Sequence, residues 1–378
     1  MQKHFLFCFT FLFSLFSLCN SEVNTGLTGK LDKHIQEYVE EESFQGAVLV
    51  AKNGDVLFKS AYGHADLEKN LANTTDKKFL IGSLTKSFTA VAVMRLVDQE
   101  KLSLHVPIST YIPDLKEKLA DQLTLHRLMK HQSGLPQHLE RLTHFEEKDI
   151  SSNEILEIIN TAERSFTPGT NYQYSNLNYH LAAIAIENVT GKSYPQAMQE
   201  LVFDPLGMNN SGVERLSNIP DNRANGYRKR AFGLNRDENI VSYALGSGDI
   251  YSTVDDLLKW EQSLYGDEFL SRESVDRLFS AESKSFGYYG YGFRIRDYQR
   301  AGEESNRGTL TRHGGSMDGF LSNLHRYTDD KLTVIVLANV RSFPIRKLTF
   351  ELKEIALGMD DLKRDRWNCN KKVDSKLG

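Results

Sequence analysis

Four consecutive residues, Ser83-Leu84-Thr85-Lys86, carry the most suggestive chemistry in this chain. If Ser83 opens a helix, Lys86 lies one turn on and on the same face, so its ammonium can sit beside the hydroxyl. A serine hydroxyl is a poor nucleophile until a base takes its proton, and a lysine in a buried site loses its charge readily enough to help. A helix start also offers free N–H groups and a positive partial charge to a developing oxyanion. Ser-x-x-Lys alone is common as a serine cap followed by a surface lysine. What favours a buried Lys86 is the stretch up to Val97, apolar on nearly every side.

A second grouping is Tyr174-Ser175-Asn176, after Pro168-Gly169-Thr170. A phenol serves as a base only if a cation such as Lys86 stabilises its phenolate. Asn176 offers two donors and an acceptor, suited to orienting Lys86 and a substrate carbonyl. The third is Thr311-Arg312-His313-Gly314-Gly315-Ser316. Strand alternation puts Arg312 and His313 on opposite faces, and the two glycines let a ligand approach the backbone. The N–H of Ser316 can complete an oxyanion hole with that of Ser83. Each grouping taken singly reads as readily as ordinary structure: a packed loop tyrosine beside a turn asparagine, or a strand ending in a Gly-Gly turn. Metal ligation has little support, since no His-Glu-x-x-His occurs and the nearest grouping is His126, His131 and His138.

These groups need a frame. Residues 30–42 read as a helix, and 46–51 and 56–60 as a hairpin around Asn53-Gly54-Asp55. From about 102 to 270 the pattern is helical segments punctuated at Gly134-Leu135-Pro136, Thr167-Pro168-Gly169 and Asp204-Pro205-Leu206-Gly207. The tail returns to strands at 288–295, 308–312, 319–327 and 332–339, then a helix at 344–357. The expected fold is therefore α+β: an antiparallel sheet built from both chain ends, flanked by helices, with a mainly helical inserted lobe and a cleft between them.

The order Ser-x-x-Lys, Tyr-x-Asn, His-x-Gly, with these separations, resembles the serine β-lactamase and penicillin-binding-protein family, especially its class C branch. Residues 79–97, 123–136, 166–208, 246–260 and 313–339 share the likeness. The resemblance implies Ser83 as the acylated nucleophile, Lys86 and Tyr174 as coupled base and acid, and Asn176, His313, Gly314, Gly315 and Ser316 as the substrate-binding wall. It also implies an acyl-enzyme reaction on a small ester, amide or short peptide, with no metal or organic cofactor. Esterase, D-aminoacyl peptidase and D-Ala-D-Ala carboxypeptidase activities stay open, because β-lactamases proper usually place a lysine where His313 stands, and a histidine near pH 7 is mostly neutral. A non-catalytic binding or scaffold protein on the same fold is the alternative.

With Lys+Arg 46 against Asp+Glu 50, the net charge of -4 provides no basic stripe for nucleic acid. Lys3 and His4 followed by an apolar run over 5–18 read as a signal peptide, placed at 1–21, ahead of one hydrolase domain over 22–378. Export to a periplasmic or extracellular location follows. A lipid anchor at Cys19 is the one expected membrane contact, although Leu18 precedes it where such signals usually carry a small residue. The oligomeric state is left open.

Overall fold

The computed structural model describes residues 26–359 except 232, 239, 303 and 304; the expected signal segment 1–21 with Cys19 lies outside the described residues. At the centre is a six-stranded sheet, formed by β1 (Gly46–Lys52), β2 (Asp55–Tyr62), β3 (Arg294–Gln299), β4 (Arg307–Met317), β5 (Phe320–Tyr327) and β6 (Leu332–Ala338). Its order is β3-β4-β5-β6-β1-β2 with every pair antiparallel, so the two chain ends do share one sheet. Asn53 and Gly54 turn the first hairpin with φ of 54° and 86°, the left-handed values a two-residue turn needs.

Strand alternation divides the interior in two. Val48, Val50, Val334 and Val336 face Leu31 and Ile35 of α1 (Leu27–Glu42) and Leu348 and Leu352 of the closing helix Ile345–Ala356. Leu49, Ala51, Ile335 and Leu337 face the larger core. There α2 (Thr85–Asp98) is buried at every position from Thr85 to Met94, as its lack of a polar face requires. It packs against α3 (Leu177–Thr190) and, through Phe88 stacked on Trp260 at 3.9 Å between centroids, against α4 (Val254–Gln262).

Three expectations are corrected. The strand expected over 288–295 begins only at Arg294, because Tyr288 and Gly292 take φ of 49° and 76° and interrupt the extended backbone. Gly292 has a second reason to be glycine: a Cβ there would stand 2.5 Å from Ser87 Cα and 2.7 Å from the Lys86 carbonyl oxygen. The strand expected over 308–312 instead runs to Met317, carrying His313-Gly314-Gly315-Ser316 within it and turning only at Asp318-Gly319. The segment 102–270 also holds strands: Gly212–Val213 and Ile250–Ser252, which join Phe79–Leu80 in a small sheet, and a hairpin of Gly226–Arg230 with Gly233–Asp237. The small-sheet strands are too short to show alternation, and one of their partners lies far away along the chain.

Candidate active site

Phe79–Leu80 pairs with Ile250–Ser252 and delivers the chain into a single 3-10 turn, Gly82–Leu84, that leads directly into α2. The turn touches β4 backbone to backbone. A Cβ on Gly82 would lie 2.7 Å from Ser316 N, and one on Gly315 would lie 1.8 Å from the Ile81 carbonyl oxygen. The two glycines are thus what bring Ser316 alongside Ser83. Ser83 is partly exposed, whereas Lys86 has no exposed surface.

Lys86 Nζ stands 3.1 Å from Ser83 Oγ and donates to the Ser247 carbonyl at 2.7 Å. Burial holds the Lys86 pKa well below the ordinary lysine value; Asp249 draws it back up and Arg294 pushes it down. The ammonium also lies 5.0 Å from the centre of the Tyr174 ring. Burial raises the Tyr174 phenol above its usual value, opposed by a hydrogen bond with Ser83 and by Arg294. A lysine inclined to be neutral and a phenol inclined to keep its proton therefore meet at one serine hydroxyl. Such a set can take the hydroxyl proton and hand a proton to a leaving group.

Asn176 does not make the expected contact with Lys86. It sits at the start of α3, its Nδ2 is 2.9 Å from His138 Nδ1, and its Oδ1 is buried without a partner, so among the described residues it does not bond Lys86. The Ser247 carbonyl takes that place. His313 lies beside the site, its ring 6.4 Å from that of Tyr174, but both nitrogens are engaged. Nδ1 is 2.7 Å from the Gly314 carbonyl oxygen, which can only accept, so Nδ1 carries the hydrogen and Nε2 accepts from Tyr289 Oη at 2.9 Å. Burial, with Lys86 and Arg294 adding to it, keeps the His313 pKa well below the ordinary histidine value. Gly314 turns to the other side, where a Cβ would meet Asn323 Oδ1 at 2.3 Å. Arg312 points away as alternation requires, its guanidinium 6.0 Å from the Phe350 ring centre.

The cation at the site comes from a residue that sequence reasoning missed. The Arg294 guanidinium lies 5.6 Å and 5.5 Å from the Tyr174 and Tyr289 ring centres and acts on Lys86, His131 and His313. Its backbone pairs with Arg312 in the β3–β4 register, but the two guanidinium groups diverge, Arg294 over the Tyr174 and Tyr289 rings and Arg312 toward Phe350. No sequence signal marked it, because the pairing joins strands whose register is set by the fold. Ser247 was missed too, and His131 was named only in the histidine grouping weighed for metal. Of the histidines grouped from the sequence, His126 pairs with Tyr291, His138 with Asn176, and His131 packs its ring 4.3 Å from that of Tyr174.

The profile of the beta-lactamase family matches residues 31–356. The chain belongs to that family. It is 28% identical to penicillin-binding protein 4* of Bacillus subtilis over 331 residues, covering 81% of this chain and 71% of the relative. It is 29% identical to a teichoic acid D-alanine hydrolase of Staphylococcus aureus over 315 residues, covering 82% and 74%. Among solved structures, the octameric penicillin-binding protein homologue from Pyrococcus abyssi superposes with a TM-score of 0.78 at 25% identity, covering 92% of this chain and 81% of that one. The D-amino acid amidase of Ochrobactrum anthropi shares the fold, with a TM-score of 0.73 at 24% identity over 89% and 99%. The protein is accordingly a serine hydrolase of this family, which favours the catalytic reading over the binding-protein alternative.

Proposed function

We propose that Ser83 forms an acyl-enzyme with a small ester, amide or short-peptide substrate. Lys86 takes the Ser83 proton as Oγ attacks the carbonyl carbon, and the N–H groups of Ser83 and Ser316 receive the oxyanion. Tyr174 passes a proton to the departing oxygen or nitrogen, and Lys86 returns one to Tyr174. Water then attacks the ester on Ser83, releases the acid and restores the serine. The observation that carries this reading is the 3.1 Å approach of a fully buried Lys86 to a partly exposed Ser83.

Arg294 narrows the substrate. With His313 neutral and both its nitrogens occupied, Arg294 supplies a permanent positive charge on the Tyr174 side of the site, so the preferred acyl donors carry an anionic group near the scissile bond. Export is part of the proposal, supported by the apolar run over 5–18; an N-terminal mass on protein recovered outside the cytoplasm, beginning after residue 21, is the expected result.

The test is intact-protein mass after exposure to a fluorophosphonate and, separately, to a penicillin. An adduct that forms on the wild type and not on Ser83→Ala supports the acyl-enzyme. Penicillin labelling as well would point to β-lactams or D-Ala-D-Ala peptides. No adduct from either reagent on folded protein would overturn the reading.

A further inference from the structure

The groups that face Lys86 are many, but few of them carry charge. His131, His138, His180 and His313 come from the loops around the site, from α3 and from β4, and burial, with Lys86 adding to it, holds all four below the ordinary histidine value. Tyr174 and Tyr179 present ring faces at 5.0 Å and 5.8 Å, and burial raises both phenols. The charges that act on the ammonium are then one cation, Arg294 on β3, and one anion, Asp249.

Asp249 has no exposed surface and both its oxygens are committed. Oδ1 accepts the Gly246 N–H at 3.0 Å, and Oδ2 accepts from Arg215 at 2.8 Å. The carboxylate therefore closes residues 246–249 on themselves while Arg215 anchors them. That short loop is the one that grips α2. The Ser247 carbonyl accepts from Lys86 Nζ, and the Gly246 carbonyl accepts from Thr89 Oγ1 at 2.6 Å. An ion pair whose carboxylate is fully buried adds little stability over apolar residues of the same size, so its presence near Lys86 calls for another reason.

We propose that Asp249 is a positioning residue for the Ser83–Lys86 pair: pinned by Arg215, it closes the loop that holds the Ser247 carbonyl on Lys86 Nζ and places a carboxylate two residues from that contact. The proposal rests on Lys86 acting as the base. Burial and Arg294 both lower the proton affinity of Lys86, and the Asp249 carboxylate opposes them, which strengthens Lys86 as a base.

The experiment is the pH dependence of Ser83 labelling by a fluorophosphonate, followed by intact mass, on the full chain and on Asp249→Asn. Labelling of the wild type falls as pH drops through the Lys86 pKa. Without the anion that fall moves to lower pH, by ~1 unit on the usual scale of a nearby charge. The double variant Arg215→Gln/Asp249→Asn removes both charges and leaves neither unpaired; it is expected to shift in the same direction and serves where the single variant does not fold. A rate lowered by the same factor at every pH, with the fall left in place, would overturn the proposal. Lys86→Ala run in parallel separates the two readings: wild-type labelling there removes the base assignment itself, whereas slow labelling with an unshifted Asp249→Asn removes only the role of Asp249.

Discussion

At the scale of single residues, Lys86 sits where its positive charge is least welcome. Lys86 is buried, so its proton affinity is depressed, and Lys86→Ala is expected to slow acylation by at least about 10²-fold, the scale of losing a general base; rapid-mixing measurement of the acylation step checks it. The same burial has a cost. Between the depressed folded pKa and the ordinary lysine value the unfolded chain binds more protons than the folded one, so this residue makes stability rise with pH. Lys86→Met should therefore melt at a higher temperature than the wild type, with the gap widening as pH is lowered through that window, in thermal melts across a pH series. For Arg294, loss of a charged hydrogen bond predicts that Arg294→Ala lowers kcat/KM for anionic acyl donors by about 10- to 100-fold more than for neutral esters. An equal loss on both substrate kinds would return Arg294 to a packing role.

At the scale of elements, the proposed catalytic geometry rests on a contact between a strand and a turn, made possible by glycines on both sides. Gly315→Ala would drive a methyl into the Ile81 carbonyl oxygen, since an ideal Cβ falls 1.8 Å from it. The strand must then part from the turn that holds Ser83, separating the two N–H groups assigned to the oxyanion. Loss of one oxyanion donor typically costs about 10²-fold or more in kcat. That is the expected result for Gly315→Ala, with binding of a non-reacting substrate analogue affected less than turnover. Gly314→Ala meets the Asn323 side chain instead and should lower stability more than it alters the chemistry.

At the scale of the whole molecule, the helices of the inserted part are fastened to the sheet by a buried charge pair. Arg326 on β5 and Glu261 on α4 are 1% and 0% exposed and lie 3.0 Å apart, with the guanidinium further stacked 4.5 Å from the Tyr265 ring centre. Removing one partner strands the other charge away from water, so Glu261→Ala should destabilise the fold by about 3–5 kcal/mol in equilibrium denaturation. Because the sheet bears β4 and the inserted part bears α3 and Tyr174, activity should be lost together with this fastening rather than before it.

The amino-acid sequence by itself determined the elements whose signals are local. The first hairpin is written in Asn53-Gly54, the buried helix behind Ser83 in its lack of a polar face, and the Ser83–Lys86 approach in helical spacing. The antiparallel sheet shared by both chain ends was likewise legible from the order of elements, strands at both ends around a long helical stretch. Tertiary structure alone decided what depends on residues distant in the chain. It gave the second bond of Lys86 to Ser247 rather than Asn176, engaged both nitrogens of His313, and brought Arg294 over the Tyr174 ring. The physical reason is the same in each case. A hydrogen bond or a charge acts over a few ångströms of space, and strand register, backbone carbonyls and burial set those distances without leaving a pattern along the chain.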